Sequence, residues 1–196
     1  IRNDTQGIGT ITFIREDGTF AALGHGINDG DIGVRFLIEG GSAYRTNISS
    51  ILKGKSGMPG EIIGTIDYSS QNYLGEIYAN TNGGILGKIT ENKKEFFTDK
   101  KISIAKKSEV KTGKAYLRSS ISGKSKDYSI FHEKNSLKTL KIRVTDSELI
   151  TLTGGIIQGL SGSPILQNGK LVGAVTHVLI DNPQMGYGIF AESMLE

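Results

Sequence analysis

The stretch GLSGSP, residues 159–164, surrounds one serine with features that suit a nucleophile. Ser161 is followed directly by Gly162, and another glycine stands two positions before it. A tight turn needs only a single glycine or proline. The longer string therefore indicates a hydroxyl that stands clear while nearby backbone N–H groups point at one spot. A serine hydroxyl becomes a good nucleophile only when a base takes its proton. An ordinary turn residue is the alternative interpretation.

The base is usually a histidine, and this chain has three. His25, in ALGHGI, lies at the exit of a predicted apolar strand with a glycine on each side. Because a strand end holds a side chain rigidly, His25 is the candidate base, with a structural histidine as the alternative. His132, in SIFHEK, belongs to an alternating Lys-rich strand and is predicted to face solvent. His177, in GAVTHVLI, follows the serine.

The third group is a carboxylate that orients the imidazole and stabilises its charged form. Asp146 directly follows LKIRVT, so it stands at the exit of an apolar strand and is the leading candidate. Capping of a turn is the alternative for Asp146, as for most of the aspartates. Asp29 is the second candidate, although it lies close to His25 in the chain. A zinc site is disfavoured because the histidines form no short pair and the chain has no cysteine. We expect no metal and no cofactor.

The elements that must position these residues are β-strands. The 196 residues include 27 glycines and 3 prolines, and short apolar runs recur about every ten residues, which favours a sandwich or barrels. The turns REDG (15–18) and Asn168-Gly169 predict hairpins, and a short helix is expected around 192–196. Strands are predicted at 7–14, 19–27, 34–39, 42–52, 61–67, 73–79, 83–90, 101–106, 113–122, 126–133, 137–145, 163–180 and 186–192.

The net charge, the distribution of lysines and the start of the sequence limit the classes of function that we expect. The net charge is only +3, and most lysines lie between Lys88 and Lys141. A solvated face is the favoured interpretation of this stretch, with a nucleic-acid or anionic-lipid patch as the alternative. No run of about 20 apolar residues is present, so we expect no membrane span. The chain has neither an initiator Met nor a signal peptide, and we interpret it as a piece of a longer protein.

The motifs resemble those of known serine peptidases. The order His25, Asp146, Ser161 is that of the chymotrypsin-like clan, and GLSGSPI is similar to its Gly-Asp-Ser-Gly-Gly-Pro loop. KLVGAVTH followed by GYGIF resembles the clan's two groove strands. The blocks GIGTITF, ALGHGI and TDSELITLTGGIIQGLSGSPILQNGKLVGAVTHVLIDNPQMGYGIFAESML resemble the SpoIVB-type peptidases of spore-forming bacteria. The similarity extends over most of the chain and is strongest in the last fifty residues.

This resemblance implies an all-β fold of two six-stranded-type barrels, at roughly 1–95 and 96–196, with the active site in the cleft between them. It implies His25 as general base, Asp146 as orienting acid and Ser161 as nucleophile. The backbone N–H groups of Gly159 and Ser161 would form the oxyanion hole. The implied substrate groove comprises Thr176, His177, Val178, Tyr187 and Gly188.

Within these implied roles, Thr176 would hydrogen-bond the triad acid, and Gly188 would leave room for the specificity pocket. Leu160 replaces the acidic residue that pairs with a new N-terminus in zymogen-type relatives, so that activation switch should be missing. Ser163 replaces a glycine.

The implied function is that of a regulatory serine endopeptidase that cuts few proteins. Its family acts in the space between mother cell and forespore membranes, where cleavage releases an intramembrane metalloprotease complex that matures a sigma factor. The protein substrate would be a membrane-associated regulator, and self-cleavage is part of the pattern. A membrane anchor and a PDZ domain would precede this piece, and no nucleic-acid partner is expected. The alternatives are a catalytically silent, protease-like peptide-binding module and a structural or regulatory partner.

Overall fold

The computed structural model describes residues 5–28, 34–35, 38, 40–96, 100–136 and 139–196. The strands in these ranges are β1 (Ile11–Ile14), β2 (Thr19–Ala22), β3 (Gly41–Tyr44), β4 (Thr46–Leu52), β5 (Glu61–Ile66), β6 (Tyr73–Thr81), β7 (Gly84–Ile89), β8 (Gly113–Ser119), β9 (Lys126–Lys134), β10 (Thr139–Val144), β11 (Pro164–Gln167), β12 (Lys170–Leu179) and β13 (Asn182–Phe190). The helices are α1 (Ser147–Thr153) and two 3-10 helices, Glu91–Phe96 and Ala191–Leu195. The predicted all-β class is confirmed.

The first half of the chain is an antiparallel sheet with an attached ribbon. Five strands pair in the order β1-β2-β7-β6-β3, while β4 and β5 pair with each other. The buried side chains of the main apolar cluster of this half are Phe20, Ala22, Leu74, Ile85 and Ile89. Among the described residues, this half therefore differs from the closed six-stranded barrel implied for it. The strand expected at 34–39 lies largely outside the described residues.

The second half is a closed barrel of six strands, in the order β10-β13-β12-β11-β8-β9, as expected. Its strands alternate inward and outward residues, as period-two side chains must when one face is buried. Along β9, Tyr128 and Ile130 are buried whereas Ser129 between them is exposed. The inward apolar side chains fill the barrel and form the largest core cluster of the chain.

The two halves pack against each other through a small apolar cluster. Ala21 of β2 and Ala174 of β12 are both almost fully buried and meet in this cluster with Met194. Phe13 and Ile189 pack around them. The end of β2 is thereby fixed against the six-stranded barrel, next to the loop that precedes β11.

Both predicted hairpin turns are present. The amide of Gly18 donates to the carbonyl of Arg15 at 2.9 Å and closes the turn between β1 and β2. Asn168 and Gly169 have φ values of 52° and 75°, the left-handed pair that a type I′ turn between β11 and β12 requires. The short helix expected at the C-terminus is the 3-10 helix Ala191–Leu195.

One local prediction was wrong, and one helix was missed. Residues 101–106 form no strand, and Ile104 makes only an isolated bridge to Leu171. Helix α1 was not predicted, because its seven residues are too few to display a helical period. Its helical stretch begins after Asp146, which caps the first turn, and ends at Gly154 with φ 80°.

The Lys-rich stretch 88–141 includes β8, β9 and the start of β10, which are neighbouring strands of the six-stranded barrel. Its lysines are exposed or half-buried where described, and several pair with acids, including Lys101 with Glu16 and Lys107 with Glu196. These pairs support the solvated-face interpretation. In the described part of the chain, no helix is both long enough and apolar enough to cross a membrane.

Candidate active site

The loop that carries Ser161 is held by backbone groups from both halves of the molecule. The carbonyl of Ser161 accepts a hydrogen bond from the amide of Thr10 at 2.9 Å. The amide of Gly162 donates to the carbonyl of Val175 at 2.8 Å. The carbonyl of Gly162 accepts from the buried hydroxyl of Thr12 at 2.7 Å. Residues at the start of the first hairpin and the barrel strand β12 therefore both bind this loop.

Gly162 allows this close approach because it has no side chain. Its φ is +89°, which side-chain-bearing residues rarely adopt. A Cβ atom at this position would lie 2.1 Å from the carbonyl oxygen of Thr10 and 2.6 Å from the amide of Leu23. Gly162 is therefore required, because a side chain at this position would collide with the backbone of Leu23, which follows the end of β2 and lies two residues before His25.

The hydroxyl of Ser161 is half-buried and donates a hydrogen bond to the carbonyl of Thr176 at 2.9 Å. Thr176 follows Val175 on β12, at a register shift in the pairing with β13. The serine proton therefore points at a backbone oxygen in this structure. A base must compete with that carbonyl to take the proton.

The amides of Gly159 and Ser161 are the groups expected to form an oxyanion hole. Among the described residues, neither the amide of Gly159 nor that of Ser161 donates a hydrogen bond. Their neighbour Leu160, by contrast, donates to Ile157 at 3.1 Å. Backbone N–H groups that the protein itself does not engage are the donors that stabilisation of a tetrahedral oxyanion needs. Their role stays a prediction.

His25 follows the end of β2, where Leu23 and Gly24 pack closely against the second barrel. A Cβ at Gly24 would lie 3.0 Å from Cγ2 of Thr176, so this backbone runs directly beside the residue that binds the serine hydroxyl. The Nδ1 atom of His25 is 2.9 Å from the carbonyl oxygen of Gly26. Because a carbonyl only accepts, Nδ1 carries the proton, and the Nε2 lone pair of the neutral ring is left to act as a base.

His177 lies beside His25. Their ring centroids are 4.8 Å apart, and the ring planes are tilted by 37°. Partial burial, and after it the neighbouring His25, lower the pKa of His177, so its neutral form is favoured. His177 is one of the residues predicted to line the substrate groove, and its contact with the candidate base was not predicted.

Asp146 is engaged elsewhere. One carboxylate oxygen accepts from the amides of Glu148 and Leu149 at 3.0 and 3.1 Å, and the other from the amide of Ser129 at 3.1 Å. Partial burial alone would raise the pKa of Asp146, but these three bonds, together with the charge of Lys126, outweigh burial and lower it.

Within the described residues, no hydrogen bond joins Asp146 to His25, so the structure supports the capping alternative. The rival acid, Asp29, lies outside the described residues.

The other predicted groove residues lie on β12 and β13. His177 is opposite Tyr187, and Val178 follows His177 on β12. A Cβ at Gly188 would lie 2.7 Å from the carbonyl of Ala174 and 2.9 Å from Ile142 inside the barrel, and the role of Gly188 in a specificity pocket stays a prediction. Its missing side chain is therefore explained by core packing.

Two neighbours of Ser161 are buried. Leu160 is 1 % exposed and belongs to the barrel core, as an apolar replacement for an acidic residue should. Ser163 is fully buried, and its hydroxyl has no hydrogen-bond partner among the described residues. A buried hydroxyl cannot reach a substrate, so Ser163 does not compete with Ser161.

The prediction that His132 faces solvent was wrong. It is fully buried, and neither ring nitrogen has a hydrogen-bond partner in the described part of the chain. The neighbouring Gln167 turns its amide to the backbone of Lys111 and Lys114 instead. Burial lowers the pKa of His132. The alternation of Tyr128, Ile130 and His132 would have placed this ring inside the barrel, but the surrounding lysines outweighed that signal.

Metal ligands are not grouped anywhere in the described residues, where no cluster of three His, Asp or Glu side chains is suited to hold an ion. Thr12 is the site residue that sequence reasoning missed. No local motif marks it, because its partner lies in a distant part of the chain.

Comparison with known proteins adds the family. The chain matches the model of the SpoIVB peptidase S55 family over residues 1–195. No curated protein matches the sequence. A similar solved structure is that of Rv3671c from M. tuberculosis H37Rv, a serine-to-alanine mutant in an inactive form. It is 13% identical, covers 74% of this chain and 83% of its own, and gives a TM-score of 0.44.

Proposed function

Because the chain belongs to the SpoIVB peptidase S55 family and is a serine peptidase, we propose that Ser161 is its nucleophile and His25 its general base. The observation that carries this assignment is the contact between the strand end before His25 and the serine loop. Leu23 lies against Gly162, and Gly24 lies against Thr176, which binds the hydroxyl of Ser161. The two proposed reactive side chains therefore project from backbone segments that contact each other.

The reaction follows from these roles. Nε2 of His25 takes the proton as Oγ of Ser161 bonds to the carbonyl carbon of the scissile peptide. The resulting oxyanion is held by the free amides of Gly159 and Ser161, and each such donor is worth about 3 kcal/mol in the transition state. The protonated His25 then gives its proton to the departing amine. Water, activated by the same ring, hydrolyses the acyl-enzyme.

The hydrogen bond from Ser161 to Thr176 belongs to the resting state in this scheme. The hydroxyl must rotate from that carbonyl toward His25 before it reacts. Rotation about χ1 moves between staggered wells and needs no backbone change. A bound substrate carbonyl in the oxyanion hole would favour the reactive rotamer.

The biological role is proposed at the level of the family. We infer a regulatory endopeptidase of endospore formation that cuts a membrane-associated regulator of an intramembrane metalloprotease, with sigma factor maturation as the downstream event. It would act in the space between mother cell and forespore membranes, attached through an upstream anchor, and would process itself. Membership of the SpoIVB family supports this role.

A second candidate function is a silent peptide-binding module. The observation that favours it is the hydroxyl of Ser161, which donates to Thr176 and not to a histidine. In that case the cleft binds a peptide without cutting it. Reactivity of the hydroxyl separates the two functions.

The test is labelling with a fluorophosphonate probe at neutral pH. We expect the parent to be labelled, and Ser161→Ala to be unlabelled. His25→Ala should be slower by about 10³-fold or more, because the base and nucleophile act as a unit. Ser163→Ala is the matched control, since it removes a buried hydroxyl two positions away and should label like the parent. A folded parent that does not label at all favours the binding module.

A further inference from the structure

The ring of His177 is the nearest described aromatic partner of His25, with centroids 4.8 Å apart. We propose that His177 is a positioning residue that holds the imidazole of His25 by packing against its face. This inference rests on the proposed function, in which His25 is the general base. It gives His177 a part in orienting the base, a role that the family pattern reserves for an acid.

Among the described residues, those next to His25 in the chain give its ring little other support. Both neighbours, Gly24 and Gly26, lack side chains that could restrain the imidazole. The hydrogen bond from Nδ1 goes to the adjacent Gly26 carbonyl, so it fixes the tautomer but moves with the same short segment. A ring packed from a different element supplies restraint that local contacts cannot.

His177 is delivered by a rigid strand at a point where its register changes. The pairing of β12 with β13 shifts between Val175 and His177, and a bulge of this kind re-aims the side chain that follows it. The carbonyl of Thr176, the residue at the shift, accepts a hydrogen bond from the hydroxyl of Ser161. The residues at this register shift therefore contact both reactive groups. The carbonyl of Thr176 binds the hydroxyl of Ser161, and the ring of His177 packs against His25.

The charge state of the pair suits this role. When His25 takes the serine proton it becomes a cation, and the face of a neutral aromatic ring within about 6 Å attracts a cation. His177 must then stay neutral, and its pKa is lowered by burial and by His25. Directly opposite His177 on β13 is Tyr187. Asp146, with both carboxylate oxygens on backbone amides, is bound to other partners.

A substrate-groove role for His177 makes a different prediction. A groove contact acts on the peptide, so its loss raises KM for long substrates and leaves reaction with a small reagent unchanged. A positioning contact acts on the base, so its loss slows every reaction that needs His25. A fluorophosphonate without a peptide portion therefore distinguishes the two roles.

The experiment measures the rate constant of inactivation by such a reagent for the parent, His177→Ala and His177→Phe. We expect His177→Ala to be about tenfold to 10²-fold slower, since a small misplacement of a catalytic group has effects of this size. His177→Phe keeps a packed ring and should restore most of the rate. Ile180→Ala, an exposed side chain after the same strand, is the control and should match the parent. Equal rates for His177→Ala and the parent would overturn the proposal.

A second measurement keeps this proposal separate from the proposed function. In the Ser161→Ala background, the ring protons of His25 should show an upfield NMR shift from the adjacent ring. We expect the shift to persist in His177→Phe and to vanish in His177→Ala. If the parent cannot be labelled, the proposed function fails while this shift still supports the packing contact. If all three proteins give the same His25 resonances, the positioning role is overturned.

Discussion

The hydroxyl of Thr12 donates a 2.7 Å hydrogen bond to the carbonyl of Gly162, across 150 positions of sequence. Both groups are buried. The amide of Thr10 makes a parallel bond to the carbonyl of Ser161 at 2.9 Å. Strand β1 therefore helps to set the conformation of the serine loop, although it contributes no reactive group.

The bond from Thr12 yields the first prediction. Thr12→Val keeps the shape of the side chain but leaves the buried carbonyl of Gly162 without its donor, which costs about 1–3 kcal/mol. We expect a lower midpoint of denaturant unfolding and slower fluorophosphonate labelling of Ser161. Thr12→Ser retains the hydroxyl and should recover both. Parent-like labelling in the valine variant would show that β1 does not control the loop.

The second prediction compares two glycines with positive φ. Gly162→Ala places a Cβ 2.1 Å from the carbonyl of Thr10, so the loop must move and labelling of Ser161 should be lost. Gly169 has φ +75° and nothing within 4 Å of the same atom. Gly169→Ala should therefore cost about 1–2 kcal/mol from its backbone alone and leave labelling intact. Similar labelling in both variants would contradict the crowding argument.

The parts of the site that could be predicted were those with local chemical signals. The string around Ser161 and the glycines around His25 are explained by close backbone approaches that the structure contains. The hairpin at Asn168-Gly169 was also predictable, because few residues adopt its left-handed φ values. In each case the residue type itself carries the signal, because positive φ values and close backbone approaches favour glycine whichever segment supplies the contact.

The remaining features depend on contacts between distant segments or on two competing local signals. Asp146 follows an apolar strand, but the acidic residue at 148 in the first turn also marks a helix start, and Asp146 caps that helix in the structure, while its role as triad acid stays a prediction. The contact between His25 and His177 joins residues far apart in sequence, so no motif announced it. Thr12 was missed for the same reason.

Asp146 gives the third prediction. Asp146→Asn keeps one oxygen for the amides of Glu148 and Leu149, whereas Asp146→Ala removes the cap. We expect the alanine variant to lose about 1 kcal/mol of stability and the asparagine variant less. If Asp146 only caps the helix, Asp146→Asn should label within a few-fold of the parent. A loss near 10⁴-fold in a fully folded asparagine variant would instead identify Asp146 as the triad acid.

His132 gives the fourth prediction, on the pH dependence of stability. Burial lowers its pKa below the ordinary value of 6.5, so the unfolded chain binds the proton more readily than the folded barrel does. The stabilising effect of the neutral ring is complete above pH 6.5 and is lost progressively as the pH falls below it. One such group can change the free energy of unfolding by at most about 1.4 kcal/mol per pH unit.

The measurement is urea unfolding of Ser161→Ala, which avoids self-cleavage, with and without His132→Leu, between pH 7.5 and 5. Leucine fills the same space in the barrel without a titrating group. The stability of the protein that carries His132→Leu should therefore fall less over this pH range. His177 also has a lowered pKa, but it is present in both proteins, and its contribution cancels in the comparison. Parallel stability curves for the two proteins would mean that His132 takes up no proton preferentially on unfolding. A steeper fall in the free energy of unfolding for the protein that keeps His132 would show that this buried ring makes the six-stranded barrel acid-sensitive.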